Sequence, residues 1–204
     1  MVSDNQIEDR CVKVSYCNIK YLLDFIFALL LLIILSPAMF AVALLIMLES
    51  KGPAIYRQAR VGTGGEPFTI FKFRTMRADA PCLSTADMQQ QKTIPFTRVG
   101  PYLRMTSVDE LPQLFNILKG EMSFIGPRPA LPSQTDVNML RETRGVHGVR
   151  PGITGLAQVK GRDDLDTETK VSYDEDYCRN MNLGLDIKIL AATFLAVFSA
   201  RGNK

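Results

Sequence analysis

Tryptophan is absent from this 204-residue chain, and histidine occurs once, as His147. Without indole rings, and without any Lys/Arg-rich run, a base-stacking, basic nucleic-acid platform is not supported. The charge balance agrees: 24 basic against 21 acidic side chains leave a net charge of only +3. A single histidine also makes a zinc centre and a histidine general base poor expectations. It lies between Gly145 and Gly148, as loop histidines commonly do. The four cysteines (Cys11, Cys17, Cys82 and Cys178) show neither CxxC nor metal-ligand spacing. They are expected to be unpaired thiols in a reducing compartment.

What the sequence does contain is a long uncharged stretch. Phe25 to Leu48 runs for 24 residues without a charge. As one helix it would extend roughly 36 Å, against a bilayer core of about 30 Å. A soluble core helix is seldom apolar all round, so this stretch is expected to lie in a membrane. It follows about twenty mixed residues and lacks a small-residue cleavage site after it, unlike a secretory signal. Ser36-Pro37 interrupts it. Proline removes a backbone donor and kinks a helix, and the Ser36 hydroxyl is placed to satisfy the freed carbonyl. Two topologies follow, a kinked span or a hairpin that enters and leaves by one face. Lys13 and Lys20 precede the stretch, and Lys51, Arg57 and Arg60 follow it. Cations on both flanks give no inside–outside bias and favour re-entry. Asp24, at the mouth of the stretch, needs a partner there.

The rest of the chain reads as a mixed domain. Residues 54–76 contain two β-rich runs around Gly62, Gly64 and Gly65, the pattern of a hairpin with a longer loop. These glycines are no phosphate-binding Walker loop, because no GK[ST] follows. Lys72 and Arg74 share one face of the second run, either as a solvated edge or as a cationic wall. Residues 78–97 are polar, hold two prolines and show no period, which reads as a mobile loop. Residues 100–119 read as a helix in two pieces. Residues 148–162 read as a Gly/Pro-punctuated loop leading to a short strand. Tyr173 to Phe198 reads as helical, with an apolar end suited to docking or to an interface.

The most informative segment is 107–129, SVDELPQLFNILKGEMSFIGPRP. Asp109 and Glu110 stand together at a helix start, and Arg128 is held in a Gly-Pro-Arg-Pro turn. Ser107 with Glu110 three residues later matches a capping box, so the acids could serve only the helix terminus. The other reading is phosphate chemistry with a divalent metal, which needs carboxylates beside rigid cations. Neighbouring helical residues diverge by about 100°, so the two acids would not share one role.

Taken together, these segments resemble the bacterial sugar transferases, the monotopic phosphoglycosyl transferases. The resemblance runs from about Lys20 to about Ala200. It rests on the Asp24-to-Ser36-Pro37 helix, IFKFRTM (70–76), LRMTSVDELPQLFNILKGEMSFIGPRP (103–129) and VRPGITGLAQVKGR (149–162). It implies an α+β, mostly helical fold. A re-entrant membrane helix broken at Ser36 and Pro37 (residues 21–50) would follow an N-terminal extension (1–20). A cytosolic catalytic domain (51–204), with a small β-hairpin, interfacial helices and the mobile 78–97 loop, would complete it. Larger members carry a further N-terminal region, so this chain looks like the minimal catalytic form. The resemblance also implies transfer of a sugar-1-phosphate from a UDP-sugar to undecaprenyl phosphate, with release of UMP. The reaction would sit at the cytosolic face of the bacterial inner membrane, among its lipids, at the first membrane step of glycoconjugate assembly. By position, Asp109 would be the nucleophile that forms an aspartyl-phosphosugar, and Glu110 its essential neighbour. Lys72, Arg104, Arg128 and Arg162 would handle phosphate, with Arg150 a further candidate. Mg²⁺ would be the cofactor, near Asp109. Two other readings compete: a non-catalytic membrane scaffold that binds anionic lipids, and another Mg²⁺-dependent phosphotransfer enzyme acting on lipid phosphates.

Overall fold

The computed structural model describes residues 4–77, 96–161 and 165–198. The polar segment 78–95 and Arg162 lie outside the described residues. The first element is one long helix, α1 (Asp4–Glu49). It absorbs most of the expected 1–20 extension and continues through the apolar stretch. The expected break is not an interruption of helix: Pro37 lies inside α1. The local chemistry is the one anticipated, because the Ser36 hydroxyl donates to the Ile33 carbonyl at 3.0 Å. That carbonyl is the one Pro37, lacking an N–H, leaves without its helical donor.

The stretch from Tyr16 to Glu49 is long and apolar enough to cross a membrane, and only 11% of its most apolar window is buried in the protein. Yet contacts with the following domain recur along α1. Ala28 packs with Ile70, Leu114, Ile117 and Met122. Met39 and Ile46 share a second cluster with Ala54, Phe73 and Leu103. At the far end the Glu49 carboxylate accepts the backbone N–H groups of Arg98 and Val99. Helix and domain are therefore parts of one core.

A helix end that carries charge into apolar surroundings must bring partners. Lys20 lies 2.8 Å from Asp186 and 3.7 Å from Asp24. Asp24 also accepts from the Ser123 hydroxyl at 2.6 Å, which answers the expectation that it needs a partner. Asp186 takes two more donors, the phenols of Tyr16 (2.7 Å) and Tyr177 (2.8 Å). This clasp fastens α1 to the C-terminal helices.

The anticipated hairpin is present. Strands β1 (Ile55–Val61) and β2 (Pro67–Phe73) pair antiparallel, with Tyr56 opposite Lys72. Gly64 and Gly65 both adopt positive φ (69° and 79°) in the connecting turn, a conformation glycine enters without Cβ cost. Helix α2 (Gly100–Met105), a 3₁₀ turn (Val108–Gln113) and α3 (Leu114–Leu118) follow. A short parallel pair then forms between β3 (Ser123–Ile125) and β4 (Gly152–Thr154), with α4 (Thr135–Thr143) in the connection. Glycine is required where this pair meets the Gly-Pro-Arg-Pro turn. A Cβ on Gly152 would stand 2.1 Å from the Gly126 nitrogen, and one on Gly155 2.2 Å from the Gly126 oxygen. The loop and short strand expected over 148–162 are present as far as β4, and a short helix that was not expected, α5 (Leu156–Lys160), follows. The C-terminal helical region is two helices, α6 (Thr167–Asn180) and α7 (Leu183–Phe198).

The clasp generates a test. Lys20 is 5% exposed between two carboxylates. Lys20→Met should cost about 3–5 kcal/mol, because it leaves Asp24 and Asp186 facing each other without a buried cation. Denaturation in nanodiscs checks this, and adding Asp186→Asn should recover part of the loss.

Candidate functional site

Local sequence dictates an unusual start to the acidic segment. Ser107 adopts a left-handed conformation (φ 56°), the one non-glycine residue with positive φ among the described residues. Its side chain makes no cap hydrogen bond. The expected capping box is therefore corrected. The Glu110 N–H instead donates to the Ser107 carbonyl at 3.1 Å, and the Glu110 carboxylate is used elsewhere. Pro112 has no N–H to continue an α-helical ladder, and the segment winds as a 3₁₀ turn. With three residues per turn, successive side chains diverge by about 120°. Asp109 and Glu110 thus point apart even more than an α-helix would impose.

Glu110 points at cations. Lys72 Nζ donates to its Oε1 at 2.7 Å, and the Arg128 guanidinium donates to the same oxygen at 3.4 Å. Burial alone would raise the Glu110 carboxyl, but Lys72 and Arg128 overcome it and hold the group down at about 2. Burial pulls Lys72 below the ordinary lysine range, and Glu110 opposes that pull. Glu110 is a fixed anion that holds two cations in place.

Asp109 is the opposite case. It is 8% exposed, yet its carboxylate has no hydrogen bond or ion pair among the described residues. Burial, reinforced by the Glu110 charge, raises it to about 6, while Lys72, Arg104 and Arg128 act against the rise. The site therefore contains one satisfied carboxylate and one bare one, in the field of three cations.

The frame around them is rigid. Arg128 is held by its own backbone, because Arg141 donates to the Arg128 carbonyl at 2.7 Å. Arg141 is itself buried against Asp174. Arg60 donates to the Pro129 carbonyl at 3.1 Å, and the Val61 N–H to the Ala130 carbonyl at 2.9 Å. The hairpin, the Gly-Pro-Arg-Pro turn and the 3₁₀ turn are thereby tied in one unit.

Sequence reasoning overlooked Asn116. Fully buried, it donates to the Thr69 carbonyl and to Glu121, both at 2.7 Å, and accepts from the Phe71 N–H at 3.1 Å. It locks α3 to the strand that carries Lys72. Its signal was an amide inside the apolar LFNIL run, where a polar group needs a partner.

The other candidates divide. Arg104, on α2, stacks over the Phe96 ring at 5.4 Å. Arg150 stacks over Tyr21 at 4.0 Å, and its backbone N–H donates to the Tyr21 hydroxyl. The structure groups it with α1, not with the two carboxylates. Arg74 turns away from the acids and donates to the carbonyls of Ser50 and Lys51, closing the end of α1. His147 lies 3.3 Å from the Asn138 carbonyl. Burial pushes the Cys178 thiol up to about 12, which keeps it inert.

The carboxylates can be tested as hosts for a divalent cation. No three His, Cys, Asp or Glu side chains among the described residues are placed to hold a metal ion together, so an all-protein cage is absent from that part of the chain. Mg²⁺ does not need one: it is commonly held by one or two carboxylates together with substrate phosphates and water. The bare Asp109 carboxylate fits that role, whereas Glu110 is already engaged.

The raised Asp109 carboxyl has a measurable consequence. Its folded value lies above the ordinary one, so it supports folding fully below about pH 4 and loses that contribution as pH rises through about 6. The rise from 3.8 to about 6 is worth up to about 3 kcal/mol, at roughly 1.36 kcal/mol per pH unit. Asp109→Asn should therefore stabilise the protein at pH 7, with chelator present, and change little at pH 4. Carbon-detected NMR of the carboxyl should titrate near 6; a midpoint below 4.5 would contradict the burial argument.

The family model for bacterial sugar transferases matches residues 15–200. A UDP-glucose:undecaprenyl-phosphate glucose-1-phosphate transferase of Caulobacter vibrioides is 43% identical over 183 residues, covering 85% of this chain and 67% of the relative. The enzyme of the same name from Klebsiella pneumoniae is 42% identical, covering 91% of this chain and 40% of the relative. A UDP-N-acetylgalactosamine-undecaprenyl-phosphate N-acetylgalactosaminephosphotransferase of Aeromonas hydrophila is 39% identical, covering 98% and 48%. This chain thus spans less than half the length of two of these relatives. The match extends from α1 through the two carboxylates to α7, and the chain belongs to the bacterial sugar transferase family.

Proposed function

We propose that this protein is a phosphoglycosyl transferase that moves a sugar-1-phosphate from a UDP-sugar to undecaprenyl phosphate. One observation carries the proposal: a buried, unpartnered carboxylate, Asp109, lies next to a carboxylate whose charge is matched by Lys72 and Arg128. A bare carboxylate with a raised pKa is more basic than an exposed one, and it is still mostly ionised at neutral pH. Asp109 Oδ would attack the sugar-linked phosphorus, forming an acyl-phosphate bond and breaking the diphosphate bond to UMP. The acceptor's phosphate oxygen would then attack the same phosphorus and return the carboxylate. Two displacements replace one, and the acceptor needs no base because it is already an anion. This suits a chain with one histidine, whose polar contact is to the Asn138 carbonyl.

Glu110 acts through position, keeping Lys72 and Arg128 oriented toward the anions. Arginine's planar fork suits phosphate oxygens, and a guanidinium with an anchored backbone loses little freedom on binding. Arg104 adds positive charge beside Asp109, and Arg162 is proposed as a further phosphate ligand on the strength of the family motif alone. Bound through Asp109, Mg²⁺ would neutralise diphosphate charge and orient the leaving group. The relatives are named for two different sugars, so the donor is proposed only at the level of a UDP-sugar.

The location is proposed as the cytosolic face of the bacterial inner membrane, with α1 re-entrant in one leaflet. Supporting this, the domain holds α1 near Lys20 and Asp24 and again at Glu49. Two ends fastened to one domain do not suit opposite sides of a bilayer. Such seating would keep the carboxylates at headgroup level, where a polyprenyl phosphate presents its charge. A pure lipid-binding scaffold accounts poorly for buried carboxylates, which weaken an anion trap.

Incubating the protein with Mg²⁺ and UDP-sugar alone should release one UMP per chain and leave a phosphosugar mass on the Asp109 peptide. Asp109→Asn should do neither, although it folds. Lys72→Met and Arg128→Ala should lower kcat/KM by about 10²–10³, the usual cost of removing one preorganised charge contact. Undiminished UMP release by Asp109→Asn would overturn the mechanism, and an adduct on another residue would relocate the nucleophile.

A further inference from the structure

We propose that a groove between α1 and the end of α3 binds the headgroup of an anionic phospholipid that is not a substrate. The groove has a volume of about 430 Å³, and its wall includes Tyr21, Leu22, Phe25, Leu118, Lys119 and Arg150. One side is thus the membrane helix, and the other carries two cations.

The cations are held without being neutralised. Arg150 stacks on the Tyr21 ring at 4.0 Å and has no carboxylate within ion-pair distance among the described residues. Lys119 Nζ sits over the Phe71 ring at 4.7 Å. An aromatic face fixes a cation in place but leaves its net charge available to an anion. The nearest acid to Lys119 is Glu121, at a loose 4.0 Å, and Glu121 already accepts from Asn116 at 2.7 Å. Gly120 keeps the floor low. Its φ is +77°, and a Cβ there would lie 3.4 Å from the Arg150 guanidinium.

The apolar part suits an acyl chain. Leu22 and Phe25 are 60% and 44% exposed, and they begin the exposed apolar surface that continues along α1. A ligand that satisfies the whole groove combines a phosphate at the cations with a hydrocarbon tail along the helix. Free phosphate would leave the apolar wall uncovered, and a zwitterionic lipid would bring its own ammonium to the cations.

The groove is separate from the two carboxylates. Successive side chains of a strand face opposite ways. Lys72 reaches Glu110 on one face of β2, and Phe71, with Lys119 above it, lies on the other. A lipid in the groove is therefore not placed to react at Asp109. Its effect would be to hold the domain at a fixed depth and tilt on the leaflet.

The proposal rests on the one-leaflet seating above, and its test reads lipid retention, not turnover. The full chain is placed in nanodiscs with equal phosphatidylglycerol and phosphatidylcholine, and the lipids that remain bound are counted by native mass spectrometry. Wild type should retain phosphatidylglycerol preferentially. Lys119→Gln should lower that preference about fivefold, the scale of one cation at an anionic surface. Arg179→Gln, an exposed cation on α6, should not lower it. No preference in wild type, or equal loss in both variants, overturns the proposal. Displacement of the retained phosphatidylglycerol by stoichiometric undecaprenyl phosphate also overturns it, and would assign the groove to the acceptor. If the preference persists while Asp109 proves non-catalytic, the groove stands and the enzymatic reading falls.

Discussion

The contact between Lys72, Glu110 and Arg128 is the one on which the rest of the site depends. It joins three segments that are distant in sequence: the second hairpin strand, the 3₁₀ turn and the Gly-Pro-Arg-Pro turn. Each has its own support. Asn116 holds the strand, Pro112 shapes the turn, and Arg141 anchors the arginine's carbonyl. Remove the shared anion and two cations would face each other across a half-buried gap. The low titration point of Glu110 expresses the same fact, since two adjacent cations outweigh its burial.

The pair of carboxylates gains its asymmetry from this arrangement. They are adjacent in sequence and similar in chemistry, yet one accepts from Lys72 and Arg128 through a single oxygen and the other has no hydrogen bond or ion pair among the described residues. A 3₁₀ turn separates their directions, and burial then acts on each without the same compensation. Asp109 carries a stability cost in its ionised form. In the proposed mechanism this cost falls on the attacking group, because partners that would stabilise it would also blunt it.

Helix α1 is as much a part of this domain as the strands. Ala28, Met39 and Ile46 lie in its core, and the Lys20 clasp joins the helix to α6 and α7. On the proposed seating, depth in the lipid and orientation of the site would therefore not be independent variables. The groove at Tyr21 and Arg150 extends the same logic, since it places cations where helix and domain meet.

The sequence alone determined the long apolar helix, the hairpin and the helical C-terminus, while the grouping of the acids with Lys72 and Arg128 came from the family resemblance. The first three follow from local properties: uncharged length, alternation and glycine turns. It also identified the Ser36 hydroxyl as the replacement donor near Pro37, because that contact lies within one helical turn. Tertiary structure decided what no local pattern contains. It turned Glu110 from a cap into an ion-pair centre, moved Arg150 to Tyr21, and gave Asn116 its three partners. It also carried α1 through Pro37 without an interruption. In each case the outcome was set by where a distant segment delivered a charge or a backbone group. Spacing along the chain does not encode that distance, and only the packed core fixes it.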